Sequence, residues 1–274
     1  MSKQPDEILF ACDVGNSRAG FALVVARQIR EVVRVPVGEL DSLAECFRLD
    51  PAAGPDAPIP ARRDRRAASW AGGGKQSAPI IVSSVNPPAA EKLRTLAAGF
   101  TAGPFLLAGR DFAIPIEVRV NRPEAVGVDR LLAALAAHRA TKGAAIVVDV
   151  GTAVTVDALD DAGRFLGGAI LPGPALGAWS LHQRTAALPE VALLPTAEAI
   201  GKDTEAAIRS GLVFGAAGAI ERLVAEQRRL LGPRTPVIAT GGGLDLLRDS
   251  LACLDEVRPN LVLEGLVAAY LAQQ

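Results

Sequence analysis

The chain has 274 residues, 50% hydrophobic and 22% charged, which is enough apolar content for one large core or two medium ones. Its formal net charge of −1 excludes a global basic field that would draw nucleic acid or an anionic membrane, so small molecules are the expected partners. Cys12, Cys46 and Cys253 are odd in number and lack any paired spacing, which argues against a disulfide framework or a zinc site and for a reducing compartment.

The first seven residues are polar and acidic, and the apolar run from Ile8 breaks at Asp13, so neither a signal peptide nor a membrane span is expected and the cytoplasm is the expected location. Residues 8–12 read as a buried strand and 21–26 as its hairpin partner. Residues 51–78 carry four prolines, four arginines and a triple glycine, a composition that predicts a solvated loop; Trp70 within it keeps open an anion-binding or partner-binding arm. A strand over 80–85 ends in the Asn86-Pro87-Pro88 turn, and 89–98 follows as a helix. Strands over 145–150, 154–159 and 164–170 form a meander, the last two joined by Asp160-Asp161-Ala162-Gly163. A long helix spans 204–231, with Asp203 as N-cap, Glu205 in the first turn, Arg228 and Arg229 in the last, and Gly232-Pro233 beyond. Gly211, Gly215 and Gly218 along it suggest close helix packing. A helix over about 265–272 is expected to pack back on the first half.

An internal repeat organises these elements. Residues 8–17 and 145–152 are each a buried strand, then Asp-Val-Gly, then a small polar residue, half a chain apart. Two duplicated domains with a cleft between them are the expectation, and a cleft is a natural ligand site. In each copy an aspartate closes the strand, and Gly15 or Gly151 permits a turn whose backbone can approach a phosphate. A carboxylate there suits a hydrated cation, and Asn16, Ser17 and Thr152 can donate to phosphoryl oxygens. Residues 236–244 then run from a strand through Gly241-Gly242-Gly243 into a helix, leaving room for adenine and ribose; no Walker A motif is present.

Between the repeats, Arg122-Pro123-Glu124-Ala125-Val126-Gly127-Val128-Asp129-Arg130 leads into an alanine- and leucine-rich helix. Asp129 falls in its first turn, where the helix dipole keeps a carboxylate ionised and able to accept a proton. A plain helix-capping role fits that position equally. His138 and His182 have no partner spacing and read as structural.

The motifs together resemble the type III pantothenate kinase family of the actin and sugar-kinase superfamily. The residues that carry the likeness are Gly127 to Arg130, Asp149-Val150-Gly151-Thr152-Ala153 with Thr155 and Asp157, residues 167–173, residues 185–189, and Gly201-Lys202-Asp203-Thr204. The resemblance implies an α/β fold of two RNase-H-like domains, 1–117 and 118–274, each with a mixed five-stranded sheet flanked by helices. It implies that pantothenate is phosphorylated by ATP to 4′-phosphopantothenate at the first step of coenzyme A synthesis. Asp129 matches the general base, and Gly127, Val128 and Arg130 the substrate-binding turn around it. Asp13, Val14, Gly15, Asn16, Ser17, Arg18, Ala19 and Gly20 match the first ATP-binding hairpin, with Asp13 nearest Mg²⁺. Asp149 matches a ligand of an activating monovalent cation, K⁺ or NH₄⁺, and Thr152 an ATP contact. Thr204 matches a pantothenate contact; a part in the helix cap is compatible with that. A homodimer is implied, its pocket taking Asp129 from one chain and Thr204 from the other.

Ser17 stands where the family usually has threonine, Val128 where it has alanine, Val120 where many members carry tyrosine, and Ala133 where asparagine is common. Two alternatives stay open at this point: a kinase for another small hydroxylated substrate, and a non-catalytic nucleotide-binding regulator resembling the Bvg accessory factor proteins.

Overall fold

The computed structural model describes residues 8–45, 77–99, 101–196 and 198–274. Its first sheet grows from the apolar run at the start of the chain. Strand β1 (Ile8–Val14) pairs antiparallel with β2 (Arg18–Val25), which pairs antiparallel with β3 (Gln28–Pro36). The β2–β3 turn is Ala26-Arg27, both at positive φ (50° and 66°), the sign pattern of the two-residue turns that match strand twist. A 3₁₀ segment, Val37–Glu45, follows. Strand β4 (Ile80–Ser84) adds parallel to β1 on its other side, then α1 (Pro87–Ala97) leads round to β5 (Phe105–Leu107), parallel to β4. Asn86 caps α1 by accepting from the Ala89 amide at 3.2 Å, with Pro87 pre-set for the first helical position.

The second half repeats this plan. After α2 (Val128–Thr141), strand β6 (Ala145–Val150) pairs antiparallel with β7 (Ala153–Leu159), and β7 with β8 (Phe165–Pro172). Helices α3 (Pro174–Arg184) and α4 (Thr204–Leu231) follow, then β9 (Val237–Thr240) parallel to β6. The chain closes with α5 (Leu244–Leu247), β10 (Glu256–Val257) parallel to β9, and α6 (Leu261–Leu271). The strand orders are β3-β2-β1-β4-β5 and, read in the same sense, β8-β7-β6-β9-β10. The repeat seen in ten residues of sequence is therefore a repeat of a whole topology, with the aspartate-bearing strand central in each sheet.

Each sheet has its own core. On one face of the first, Phe10, Cys12, Val14, Phe21 and Val35 pack with Leu40 and Leu43 of the 3₁₀ segment and with Ala89, Leu93 and Ala97 of α1. Phe10 and Phe21 stack at 5.4 Å. In the second, Ile146, Val148, Val154 and Val156 meet Val213, Ala216, Ile220 and Val224, a helical stripe of α4. Asp203 caps α4, accepting from the Ala206 amide at 2.7 Å, and Gly232 closes it at φ +121° with its N–H on the Arg228 carbonyl.

The chain forms two compact units: one runs to Pro115 and adds Val126–Leu135 and Val262–Gln274, the other holds Ile116–Ala125 and Ala136–Leu261. In the first unit Gly265 lies against the Leu132 backbone and Leu263 comes near Gly20, so α6 lies on that unit's sheet and α2 packs against α6. The loop expected at 51–78 lies outside the described residues up to 76, as does Cys46; Ala78 is buried, its carbonyl accepting from the Thr101 hydroxyl at 2.8 Å. Cys12 is buried and Cys253 half-buried. One expectation fails. A side chain built at Gly211, Gly215 or Gly218 would meet nothing within 4 Å, so no described residue packs closely on those glycines.

Candidate active site

In the first unit, register sets one row of residues across four strands: Ser83 on β4 pairs with Asp13 on β1, Asp13 with Gly20 on β2, and Gly20 with Arg34 on β3. Paired residues share a face of the sheet, and this face is opposite the one carrying Phe10, Cys12 and Val14. Part of Asp13 still reaches solvent, yet protein surrounds its carboxyl closely, and that burial pushes its pKa up to about 6. Ser83 and the Arg34 charge work against the rise, while the Asp129 charge adds to it. Burial lowers the Arg34 pKa, opposed by Asp13. Because position 20 is glycine, the Arg34 stem can lie beside it, within 4.0 Å of where a Cβ would stand.

Asp129 occupies the second position of α2. Its Oδ1 accepts from the Arg130 amide at 2.8 Å, satisfying one of the helix's unpaired N–H groups. Its carboxyl lies so close to Gly127 that a side chain there would collide with it. Burial raises the Asp129 pKa, partly offset by the Arg130 amide and the Arg130 charge. Both readings of this residue are thus compatible: it steadies the helix start, and it is a carboxylate shifted toward neutral pH, where a general base is most effective. Val128 covers the Gly109 turn, its Cγ1 3.3 Å from a Cβ built there.

The hairpin Asp13 to Gly20 divides by burial. Val14 and Ala19 are buried in the core, so any ligand contact they make is through backbone, whereas Asn16, Ser17 and Arg18 are exposed at the tip. The Gly15 N–H is itself taken up in the turn: it donates to the Arg18 carbonyl at 3.0 Å and closes the hairpin. Gly151 behaves alike, donating to Ala153 at 2.9 Å.

In the second unit Asp149 pairs with Thr155 on β7 and Thr240 on β9. Its Oδ1 sits against Gly241, which has φ +100° and no room for a side chain; Gly243 presses on Val150. The glycine turn thus packs on the end of β6. Thr152 is exposed beyond Gly151, and its carbonyl accepts from Gly173 at 3.0 Å. Thr204 is exposed at the first position of α4, with Asp203 as the cap. Val120 lies 3.3 Å from a Cβ built at Gly167, and Ala133 is buried. His138 Nδ1 meets the Gly143 carbonyl and His182 Nδ1 the Leu188 carbonyl, both structural. Sequence reasoning missed Ser83 and Arg34; only strand register brings them to Asp13.

A family model described as type III pantothenate kinase matches residues 9–226, which include the Asp13 hairpin, Asp129, Asp149 and Thr204. The chain belongs to the type III pantothenate kinase family. A type III pantothenate kinase of Dehalococcoides mccartyi is 37% identical over 195 residues, covering 71% of this chain and 76% of that one. One from Rhodospirillum rubrum is also 37% identical over 195 residues, with the same shares. A solved structure described as a Baf family transcriptional activator from Campylobacter jejuni aligns with a TM-score of 0.57 at 18% identity, over 97% of this chain and 98% of that one, and shows the fold. The type III pantothenate kinase match ends before β9, so Thr240 and Gly241 join Asp149 through the fold rather than through the matched segment.

Proposed function

We propose that this protein transfers the γ-phosphoryl group of ATP to the hydroxyl of pantothenate, giving 4′-phosphopantothenate for coenzyme A synthesis in the cytoplasm. Membership of the family over residues 9–226 carries the reading, and the presence in one unit of Asp13 and Asp129, near enough for one charge to act on the other, supports it. Its duplicated domains are taken as 1–117 and 118–274 in sequence, with Val126–Leu135 and Val262–Gln274 of the second grouping with the first unit. Asp129 accepts the proton of the hydroxyl as that oxygen bonds to the γ-phosphorus; the bond from phosphorus to the bridging oxygen breaks and ADP leaves. The proton then passes from Asp129 to solvent. Gly127, Val128, Arg130 and Thr204 hold pantothenate, while Asp13 to Gly20 and Thr152 hold ATP. Catalysis of this kind is mainly positioning and charge neutralisation.

Among the described residues no group of three or more His, Cys, Asp or Glu could hold a metal alone. Asp13, one buried carboxylate beside an orphaned hydroxyl, suits Mg²⁺ that arrives with ATP and keeps phosphate and water ligands. Such an ion neutralises phosphate charge. Asp149, in its glycine cradle, suits a monovalent cation, K⁺ or NH₄⁺.

The homodimer belongs to the same reading. Ile170 (63% exposed), Trp179 (57%) and Ile200 (80%) are large apolar side chains left uncovered in the second unit, as is the glycine face of α4. Co-refolded Asp129→Asn and Thr204→Val chains should regain roughly a quarter of wild-type activity, because half the dimers are mixed and each has one sound pocket. No recovery would assign both residues to one chain's pocket. The activity itself is tested by ADP release with pantothenate, hexoses or no acceptor. Pantothenate alone should support turnover; a preferred hexose, or no turnover with any acceptor, would overturn the assignment.

A further inference from the structure

Ser83 is fully buried, and its hydroxyl has no hydrogen-bond partner of good geometry. Such a group destabilises the resting fold, so its presence calls for a reason. Packing does not supply one, since the residue two places earlier on the same face, Ile81, is an ordinary buried hydrophobe. What lies beside Ser83 is Asp13, its register partner on the parallel strand, and the hydroxyl is near enough to favour the ionised carboxylate. The second sheet repeats the placement with Thr240, buried and paired with Asp149. On the antiparallel side the copies differ, Gly20 in one and Thr155 in the other. A hydroxyl on the parallel neighbour is thus the cross-strand feature that both copies keep.

We infer that Ser83 is a positioning residue for Asp13: with nucleotide bound, its hydroxyl donates to one carboxylate oxygen and keeps the other turned toward the metal and phosphates. A hydroxyl hydrogen rotates to suit its acceptor, and a bond to a charged oxygen is among the stronger ones available. The role rests on Asp13 serving the nucleotide site, as proposed above. It gives Ser83 no contact with substrate.

Four proteins test it: Ser83→Ala, Ser83→Thr, Asp13→Asn and the Ser83→Ala/Asp13→Asn double variant. Calorimetric ATP binding with and without Mg²⁺ is measured beside the melting temperature of the free protein and the kcat and KM for MgATP. Ser83→Ala should melt at or above the wild-type temperature, bind MgATP roughly tenfold more weakly through KM, and bind metal-free ATP unchanged. Ser83→Thr should restore MgATP binding, and the double variant should be no weaker than Asp13→Asn alone. If Ser83→Ala is not recovered folded, Ser83→Cys, a poorer donor of similar bulk, carries the same expectation. Unchanged MgATP affinity in Ser83→Ala beside a loss in Asp13→Asn overturns the inference and spares the nucleotide site. So does an equal loss of metal-free ATP that adds to the effect of Asp13→Asn. If Asp13→Asn itself keeps full Mg²⁺-dependent binding, the placement of the nucleotide site and the role of Ser83 fall together.

Discussion

The two aspartate hairpins share a plan and differ in what surrounds the carboxylate. Across the first sheet the row reads Ser83, Asp13, Gly20, Arg34; across the second it reads Thr240, Asp149, Thr155, Ile170. The hydroxyl is kept. The far position carries a guanidinium in one copy and an exposed isoleucine in the other. In the first unit a second carboxylate, Asp129, also acts on the first, whereas Asp149 is cradled against the backbone of Gly241. The two sheets thus hold similar supports, and the residues one or two strands away give each carboxylate different surroundings. The proposed function assigns the first to a divalent ion carried by phosphate and the second to a single small cation, and that division is what the following experiments test.

The strongest way to break this division is through Asp129, which has no counterpart in the second unit's row. Asp129→Asn keeps an oxygen that can accept from the Arg130 amide, so the start of α2 should survive while proton acceptance is lost. Turnover should fall by on the order of 10²–10⁴, about 3–5 kcal/mol, with MgATP binding little changed. Because burial raises the Asp129 pKa, the acid limb of kcat/KM should lie above the ordinary carboxylate range. A limb below that range, or near-normal turnover in the variant, leaves Asp129 as a helix cap only.

Removing each carboxylate in turn sharpens the contrast. Asp149→Asn should blunt activation by K⁺ or NH₄⁺ and spare the Mg²⁺ requirement, and Asp13→Asn should do the reverse, each by roughly 10- to 100-fold in the affected cation response. Titrating each variant with both cations checks it; identical cation profiles for the two variants would dissolve the division.

How much of this could be read beforehand depended on where the information sits. Strands β1, β6 and β7 were legible because these interior strands are mostly apolar and bounded by turn residues, and α4 because Asp203, Arg228 and Gly232 mark both its ends. Among the edge elements only β8 was legible, as the last strand of the meander. Strand β3, Gln28–Pro36, mixes charge with valine at the rim of its sheet; β5 and β10 have three and two residues; and α3 begins in a Gly-Pro run that reads as a loop. Asp13, Asp129 and Asp149 were visible through motifs. Ser83 and Arg34 were not, since nothing local separates a serine or arginine in a strand from its neighbours until register sets it beside a carboxylate. The α4 glycines misled because small residues permit close packing without requiring it.

A smaller effect follows from burial of Asp13. Its folded pKa, about 6, stands above the unfolded value, so its contribution to stability is full in acid and is lost as pH rises through about 6. At pH 7.5 the buried carboxylate is a net cost that asparagine lacks, so Asp13→Asn should stabilise the free protein by about 1–3 kcal/mol. At pH 4 the gain should vanish. Melts at the two pH values decide it; a variant equally stable to wild type at pH 7.5 would mean that the carboxyl is solvated. Smallest of all, Arg34→Ile copies the end of the second row and should raise KM for MgATP roughly three- to tenfold with kcat retained. Steady-state kinetics in MgATP will show it, and an unchanged KM would remove Arg34 from the comparison.

The most direct test follows phosphorus itself. With ATP, Mg²⁺, K⁺ and pantothenate, ³¹P NMR should show a new phosphomonoester resonance growing in step with ADP, and the same sample of Asp129→Asn should show neither on that timescale. Inorganic phosphate in place of the monoester, or equal growth of the monoester in both proteins, would contradict phosphoryl transfer to pantothenate with Asp129 as its base.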